Sequence, residues 1–381
     1  MTTFAFEIGP IRPPSEARSL LVRVTRNCPH NRCAFCPVYR GARFSIRTVE
    51  EVLADIEVMG RLARQLRELA SGRQVTIGVL RRAMREAGSE EMLEGPSLQV
   101  AHFLAAGGRH VFLQDANSLA MRPEQLVLVL DQLRRTFPTV RRVTSYARAH
   151  TLTRRSPEQL AQLRQHGLDR LHVGLESGSD RVLALVNKGV DGARQIEAGR
   201  RAREAGMELS EYVMPGLGGR ALSREHALDS ARVLSEIDPH FIRLRTTSMI
   251  PGTELWQLVA DGLLEPMDDE EVVQEIRLFI ERLDVSSTLQ SDHVLNLLVE
   301  LEGKLPRDRD RLLQIIDRFQ TMEPRLRRAF VVGRRAGLVT LLAEMERPEV
   351  QQRALDLLAA VEAEHGDDLG AVVRQMMTRF V

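Results

Sequence analysis

The sequence predicts an α/β protein built on a parallel sheet, and three observations predict it. Between residues 20 and 247, six strand-like apolar runs alternate with helical patterns. Regular alternation gives parallel strands joined by right-handed crossovers, in a sheet that is either open or curled into a barrel. Beyond about residue 255 the strand patterns stop and helical periodicity takes over. Finally, the only three cysteines of the 381-residue chain fall within nine positions, Cys28-Pro-His-Asn-Arg-Cys33-Ala-Phe-Cys36, directly after the first strand-like run.

The elements follow in order. Leu20-Leu-Val-Arg-Val-Thr25 reads as a buried strand ending at the cysteine loop. Thr48 with Glu51 three residues on is a capping box that opens a helix running to about Leu69. Residues 71–107 hold a further helical pattern, Leu80 to Ala87, between Gly72 and the pair Gly95-Pro96, and are expected to form a helical insertion. Arg109–Gln114 is strand-like, and Pro123–Thr136 is helical with its proline in the first turn. Arg142–Tyr146 is a strand, and Ser156-Pro157 opens a helix that stops at Gly167. Arg170–Leu175 is a strand, followed by helical stretches at 179–186 and 191–205 that end at Gly206. Glu208–Met214 is a strand, Ser223–Glu236 a helix and His240–Thr247 a strand. In the last third, residues 269–283, 291–302, 307–321, 323–335 and 348–380 carry helical periodicity, with breaks marked by Pro306, Pro324 and Pro348. The expected organisation is a β/α domain over 1–257, with the 71–107 insertion, and a C-terminal helical region over 258–381.

Composition narrows the class. Hydrophobic residues at 43% and charged residues at 28% describe a soluble globular protein. The formal charge of +1 gives no argument for a nucleic-acid partner or a membrane surface. Only Lys188 and Lys304 are lysines among 53 basic residues, which leaves 51 arginines, a codon bias rather than a phosphate-recognition signal. No basic segment followed by an apolar core opens the chain, and no apolar run approaches the ~20 residues of a membrane span. Clustered cysteines with none elsewhere argue against a disulfide scaffold, so the expected compartment is the cytoplasm.

Three thiols so close together suit a soft metal. One reading is structural zinc with His30 as the fourth ligand, although zinc knuckles usually pair two separated ligand doublets. The other is a four-iron cluster held by three cysteines, with the fourth iron left open. An inert trio of buried thiols is the plainest alternative. The loop lies at the carboxyl end of the first strand, where β/α folds gather their active sites, and a zinc knuckle has no reason to occupy that end.

On these residues the chain resembles the radical S-adenosylmethionine (radical SAM) superfamily. That family places a three-cysteine loop after the first strand of a partial (β/α)6 barrel, usually as Cys-x3-Cys-x2-Cys with an aromatic before the last cysteine. Phe35 matches the aromatic, while the first gap here is one residue longer. Where the family has a Gly-Gly-Glu-Pro-like stretch, this chain has Phe112-Leu-Gln-Asp-Ala-Asn117. Val173-Gly-Leu-Glu-Ser-Gly-Ser-Asp180 and its continuation to Lys188-Gly189 are similar to segments of the coproporphyrinogen-oxidase-like and methylthiotransferase-like branches. Val213-Met-Pro-Gly-Leu-Gly-Gly219 and Ile250-Pro-Gly-Thr-Glu-Leu255 resemble the segments after strands five and six. Ser291-Asp-His-Val-Leu-Asn296 with Lys304-Leu-Pro-Arg-Asp308 resembles a tail found in relatives of unassigned function.

The resemblance implies a partial (β/α)6 TIM-like barrel with a C-terminal helical region, a [4Fe-4S] cluster on Cys28, Cys33 and Cys36, and S-adenosyl-L-methionine as cofactor. It assigns the cofactor to Phe35, Gln114, Asp115, Asn117, Glu176, Gly216, Leu217 and Gly218, and Ser145, closing strand three, offers a strand-end hydroxyl to the same cavity. Bland readings stand beside these: an Asx turn for Asp115 and Asn117, a helix-capping acid for Glu176, and ordinary tight turns for the glycines with Gly219. Tyr146 could be a core aromatic as readily as a cavity residue. Arg243 and Arg245, two apart on strand six, share a face and could hold a carboxylate, and His293, with Asp292 and Asn296 about one helical turn apart, could touch substrate. His30 is expected to face solvent or bond within the loop.

The implied reaction is reductive cleavage of S-adenosylmethionine to a 5′-deoxyadenosyl radical, which abstracts hydrogen from a small-molecule substrate. An external flavodoxin- or ferredoxin-type donor supplies the electron, because the chain has no cysteines for a second cluster. That same lack disfavours methylthiolation, and no cobalamin domain is evident before the barrel. The competing class is a non-enzymatic zinc- or iron-binding β/α scaffold or redox sensor.

Overall fold

A computed structural model describes residues 5–86, 88, 95–366 and 369–378. In chain order the elements are β1 (Leu20–Arg23), β2 (Thr25–Arg26), β3 (Ser45–Ile46), α1 (Val49–Leu69), α2 (Ile77–Glu86), α3 (Gly95–Ala105), β4 (His110–Gln114), α4 (Pro123–Thr136), β5 (Arg142–Ala147), α5 (Ala149–Leu152), α6 (Pro157–Gln165) and β6 (Leu168–Glu176). They continue with α7 (Asp180–Leu185), α8 (Gly192–Glu204), β7 (Glu208–Val213), α9 (Gly219–Ile237), β8 (Phe241–Leu244), α10 (Glu254–Ala260), α11 (Asp269–Arg282), β9 (Thr288–Gln290), β10 (Gly303–Lys304), α12 (Arg309–Gln320), α13 (Pro324–Arg335), α14 (Pro348–His365) and α15 (Leu369–Met377). The strands build a mostly parallel sheet of eight, in the order β1-β4-β5-β6-β7-β8-β9-β10. The six predicted strands are all present, and helices separate them as the alternation requires.

Two compact units interleave along the chain. One comprises the residues up to Asn31, Val38–Val173 and Arg200–Leu209; the other comprises Arg32–Pro37, Gly174–Gly199 and the residues from Ser210 onward. In the first unit, β4 pairs in parallel with β1 and with β5, and the register sets Arg23 beside Gln114. The helix α1 buries Val52, Ile56, Met59, Leu62 and Leu66 on one stripe, the i, i+3/i+4 spacing of a core-facing face. The Thr48–Glu51 capping box is formed in both directions, a device of about 0.5–2 kcal/mol. The buried Glu16 carboxyl of this unit is tied down: burial alone would raise it, but His172, Arg142 and Ser19 outweigh that and hold it at about 2. The imidazole of His172 also meets the rings of Phe112 and Tyr146, which stack edge-on at 5.0 Å.

Four details depart from the sequence reading. The first strand-like run is cut at Val24, and Thr25–Arg26 pairs instead with Ser45–Ile46 as an antiparallel clamp at the base of the cysteine loop. In the second unit the strands do not cease at 255: β9 adds in parallel to β8, and β10 adds antiparallel to β9. These strands of three and two residues are too short to show a period-two pattern. Residues 291–302 are turns and irregular chain, not a helix. Their main-chain carbonyls serve other partners: Val294 and Asn296 accept from Arg334, and Leu295 accepts from Arg335. Finally, the 348–380 helix divides into α14 and α15 at Gly366, whose φ of 62° no helix interior permits. Among the described residues no helix is long and apolar enough to cross a membrane.

Candidate active site and cysteine loop

The first half of the cysteine loop belongs to the first unit, and Asp115 organises it. The residue is fully buried. Its Oδ2 accepts from Arg23 Nη2 at 2.7 Å and from the Asn27 main-chain N–H at 3.1 Å, and its Oδ1 accepts from the Tyr39 hydroxyl at 2.6 Å. Burial, with the neighbouring Asp115 charge and Cys28 among the further contributors, pushes the Tyr39 hydroxyl far up, so it remains a proton donor. The carboxylate therefore fixes the residue before Cys28 at its main chain, where Asn27 adopts a φ of 65°. Gln114 is likewise engaged by the chain itself: it accepts from Gly9 N–H and donates to the Gly9 and Ile11 carbonyls. Asn117 donates to Thr151 and accepts from Arg148 N–H, and Ser145 donates to the Tyr146 carbonyl. All four sequence candidates of this unit are buried with their side chains bonded to protein.

The second half of the loop, Arg32–Pro37, is seated in the second unit. Ala34 N–H donates to the Val186 carbonyl, and the Ala34 carbonyl accepts from Leu255 N–H, each at 2.9 Å. Ala34 and Phe35 pack with Val182, Val186, Met214, Leu217, Leu255 and Leu264. Leu217, a candidate cofactor contact, thus has its side chain in this apolar cluster, fully buried. A turn bond from Cys36 N–H to the Cys33 carbonyl shapes the end of the loop.

Above this seat lies an ion pair that periodicity could not reveal. Lys188 Nζ stands 2.9 Å from Glu176 Oε1, both side chains largely buried, and 6.0 Å from the centre of the Phe35 ring, within cation–π range. Glu176 closes β6 with a φ of 61°, a conformation that costs a non-glycine residue of order 1–3 kcal/mol and concentrates at functional sites. Its main-chain carbonyl accepts from Met214 N–H at 2.9 Å. A Cβ on Gly174 would stand 2.1 Å from Glu176 Oε1 and 2.9 Å from Lys188 Nζ, so the glycine makes room for the pair.

The rest of the Gly-Leu-Glu-Ser-Gly-Ser segment is scaffolding. Ser177 Oγ lies 2.7 Å from His226 Nδ1. Gly178 passes α9 so closely that a Cβ would lie 2.3 Å from the Asp229 carbonyl oxygen, and Ser179 caps α7. His226 Nε2 lies 3.6 Å from Glu275 Oε1, which accepts from Gly216 N–H at 2.7 Å. Through buried His226 and Glu275 the loops after β6 and β7 are thus joined, a link between residues far apart in sequence that no local motif announces. Gly216 itself has a φ of 82°, and Gly219 a φ of 60° with the Glu265 carbonyl 2.5 Å from where a Cβ would be. Gly218 is the N-cap of α9.

The candidates on strand six and in the tail do come together. Arg243, 3% exposed, donates through Nε to Ser210 and through Nη1 to Asp292 at 2.5 Å. Asn296 accepts from Thr246 N–H and donates to the Leu244 carbonyl. Burial, aided by Arg245 and opposed by Asp292, lowers His293 to about 4. His293 is therefore neutral at pH 7, and its Nδ1 accepts from Leu295 N–H, which leaves the proton on Nε2.

Thiolates are the donors that iron–sulfur clusters require, so the chemistry of these residues fits such a group. Three half-buried thiols occupy a loop anchored on both flanks.

A mostly parallel β/α sheet carries three thiols in the loop after its first strand, donors of the soft type that iron–sulfur clusters use. The sequence matches the model of the Radical SAM superfamily over residues 22–231, more than half of its length, and the chain belongs to that superfamily. It is accordingly an enzyme of a family that uses a [4Fe-4S] cluster and S-adenosylmethionine and requires a reductant and a substrate. The scaffold-or-sensor alternative is set aside on that membership. Among curated proteins it is similar to the tRNA uridine(34) acetyltransferase of Methanocaldococcus infernus, 24% identical over 123 residues, covering 32% of this chain and 23% of that protein. It is also similar to the heme chaperone HemW of Bacillus subtilis, 25% identical over 170 residues, 44% of each protein. These matches span less than half of the relatives' own lengths. Among solved structures, coproporphyrinogen III oxidase (HemN) from Escherichia coli superposes with a TM-score of 0.42 at 16% identity, over 69% of this chain and 52% of that one.

Proposed function

We propose that this protein cleaves S-adenosylmethionine reductively and uses the resulting radical to abstract hydrogen from a small-molecule substrate. Cys28, Cys33 and Cys36 would hold the cluster. When bound, cluster and cofactor together supply one-electron cleavage of the sulfonium bond and a 5′-deoxyadenosyl radical. The observation that carries the reading is the Glu176–Lys188 pair beside Phe35 at the loop's own seat. There a carboxylate is held in a strained conformation with room cleared around it by Gly174.

Each remaining group then has a part. Glu176 would accept from a ribose hydroxyl. Gly216 and Gly218 would bring main chain close to the nucleoside, with Leu217 anchoring that turn from below. Gln114, Asp115, Asn117 and Ser145, whose side chains are already bonded, would contribute through the main chain they hold in place. Arg245 and neutral His293 would face the substrate, with Arg243, buried and bonded to Asp292, holding the tail in place beside them. A β/α part over 1–257 with its 71–107 insertion, and a C-terminal part over 258–381 that adds β9 and β10 to its helices, belong to the same proposal. A flavodoxin- or ferredoxin-type protein would deliver the electron, and the cytoplasm would provide it. A nucleic-acid substrate has weaker support: the formal charge is +1, and the matched tRNA-modifying relative is covered over 23% of its length.

Anaerobically reconstituted protein should bind about four irons and sulfides per chain and, with dithionite and S-adenosylmethionine, form 5′-deoxyadenosine. Cys33→Ala should lose that activity by at least 100-fold, since a cluster short of a thiolate is not held. Zinc in place of iron, or an undiminished Cys33→Ala, would refute the assignment.

A further inference from the structure

A cavity of about 220 Å³ lies in the second unit, beyond the ends of β7 and β8. Its walls come from Gly216, from Thr246, Thr247 and Met249 after β8, from the first turn of α11, and from α13 and α15. Val272, Val331, Val373 and Met377 make it mainly apolar. For scale, an engineered apolar cavity of about 150 Å³ accommodates benzene, so this one takes a body of roughly eight to ten heavy atoms.

The charges on its wall are unequal in their engagement. Asp269 is held by the guanidinium of Arg335, and Glu270 by Arg327 Nε at 2.9 Å. Asp268 accepts from Glu271 N–H as the cap of α11. On α13, Arg328, about half exposed, reaches Glu362 only at 3.9 Å. Arg374, half-buried on α15, has no acidic partner among the described residues. Asp269 and Glu270 are thus neutralised by their own arginines, and the guanidinium of Arg374 is the one on this wall left to an anion.

We infer that this cavity binds a small apolar molecule bearing one anionic head group, with the chain against Val331, Val373 and Met377 and the head against Arg374 and Arg328. Because Gly216 lines it as well as the candidate cofactor turn, the occupant is assigned as the substrate. That last step rests on the radical reading above; the binding itself does not.

Titration calorimetry of the anaerobically reconstituted full chain with octanoate, and with octanol as its neutral match, tests this. Octanoate should bind at least tenfold more tightly than octanol. Arg374→Gln should erase that difference, and Val331→Trp, which fills the cavity, should weaken both ligands at least tenfold. Arg328→Gln serves as a second head-group variant, and melting curves check that each variant is folded. No binding of octanoate to the wild type, or equal binding to Arg374→Gln and Val331→Trp, overturns the site. Formation of 5′-deoxyadenosine, measured in parallel, reports on the radical reading alone: binding without it keeps the cavity and removes the substrate role.

Discussion

Gly174 is where a single hydrogen atom decides an ionic contact. The atoms its Cβ would strike are the mobile tips of Glu176 and Lys188 rather than main chain, so Gly174→Ala should fold with nearly the wild-type melting temperature. The displaced pair should raise KM for S-adenosylmethionine about tenfold, a change of about 1.4 kcal/mol; initial-rate kinetics of 5′-deoxyadenosine formation would measure it. Glu211, on β7, poses the opposite problem. It is 1% exposed, one carboxylate oxygen has no hydrogen-bond partner, and burial raises its pKa well above 4.5, with Glu176 reinforcing and Lys188 opposing. The folded protein therefore keeps a proton that the unfolded chain releases, and stability falls as pH rises above about 4.5. Glu211→Gln should melt higher than the wild type at pH 8, by roughly 1–2 °C for each kcal/mol recovered in a chain of this length. The two curves should converge near pH 4; a constant offset across that range would count against the buried acid.

At the scale of elements, the loops after β6 and β7 are held together through His226 on α9 and Glu275 on α11. His226→Ala would leave Ser177 and Glu275 without that bridge, and an orphaned buried polar group costs about 1–3 kcal/mol. The expected result is a lower melting temperature together with weaker S-adenosylmethionine binding in equilibrium dialysis. Loss of stability with unchanged affinity would make the link purely structural. Sequence patterns reached these loops because steric demands on glycine leave a mark at fixed positions, as at Gly178 and Gly216. They could not reach the bridge, whose members sit 49 residues apart. They misread 291–302 because its buried leucines, Leu295, Leu297 and Leu298, mimic a helical stripe. Which carbonyls the arginines of α13 would claim is settled only by tertiary contacts.

Across the whole molecule, the six-strand alternation and the strand-end position of the cysteines were legible because both follow from chain order. The interleaving of the two compact units was not, since it depends on which distant segments pack together. The abundance of arginine, read from sequence as a mere bias, acquires a use in the fold: Arg23, Arg47, Arg243 and Arg335 are each less than about one-seventh exposed and each engages a carboxylate. A planar, always-charged fork is suited to that task where a lysine ammonium is not.

The near-absence of lysine gives the Glu176 pair a spectroscopic consequence. With only Lys188 and Lys304 in the chain, reductive methylation with ¹³C-formaldehyde should yield two dimethyl-lysine resonances, plus that of the terminal amine. Lys304 is exposed, whereas Lys188 is held against a carboxylate and above an aromatic ring. One signal should therefore sit at the random-coil shift and the other be displaced by the Phe35 ring current. Only the displaced signal should move on titration with S-adenosylmethionine. A protein of 42.9 kDa thus carries its own single-site reporter, readable without engineering any residue.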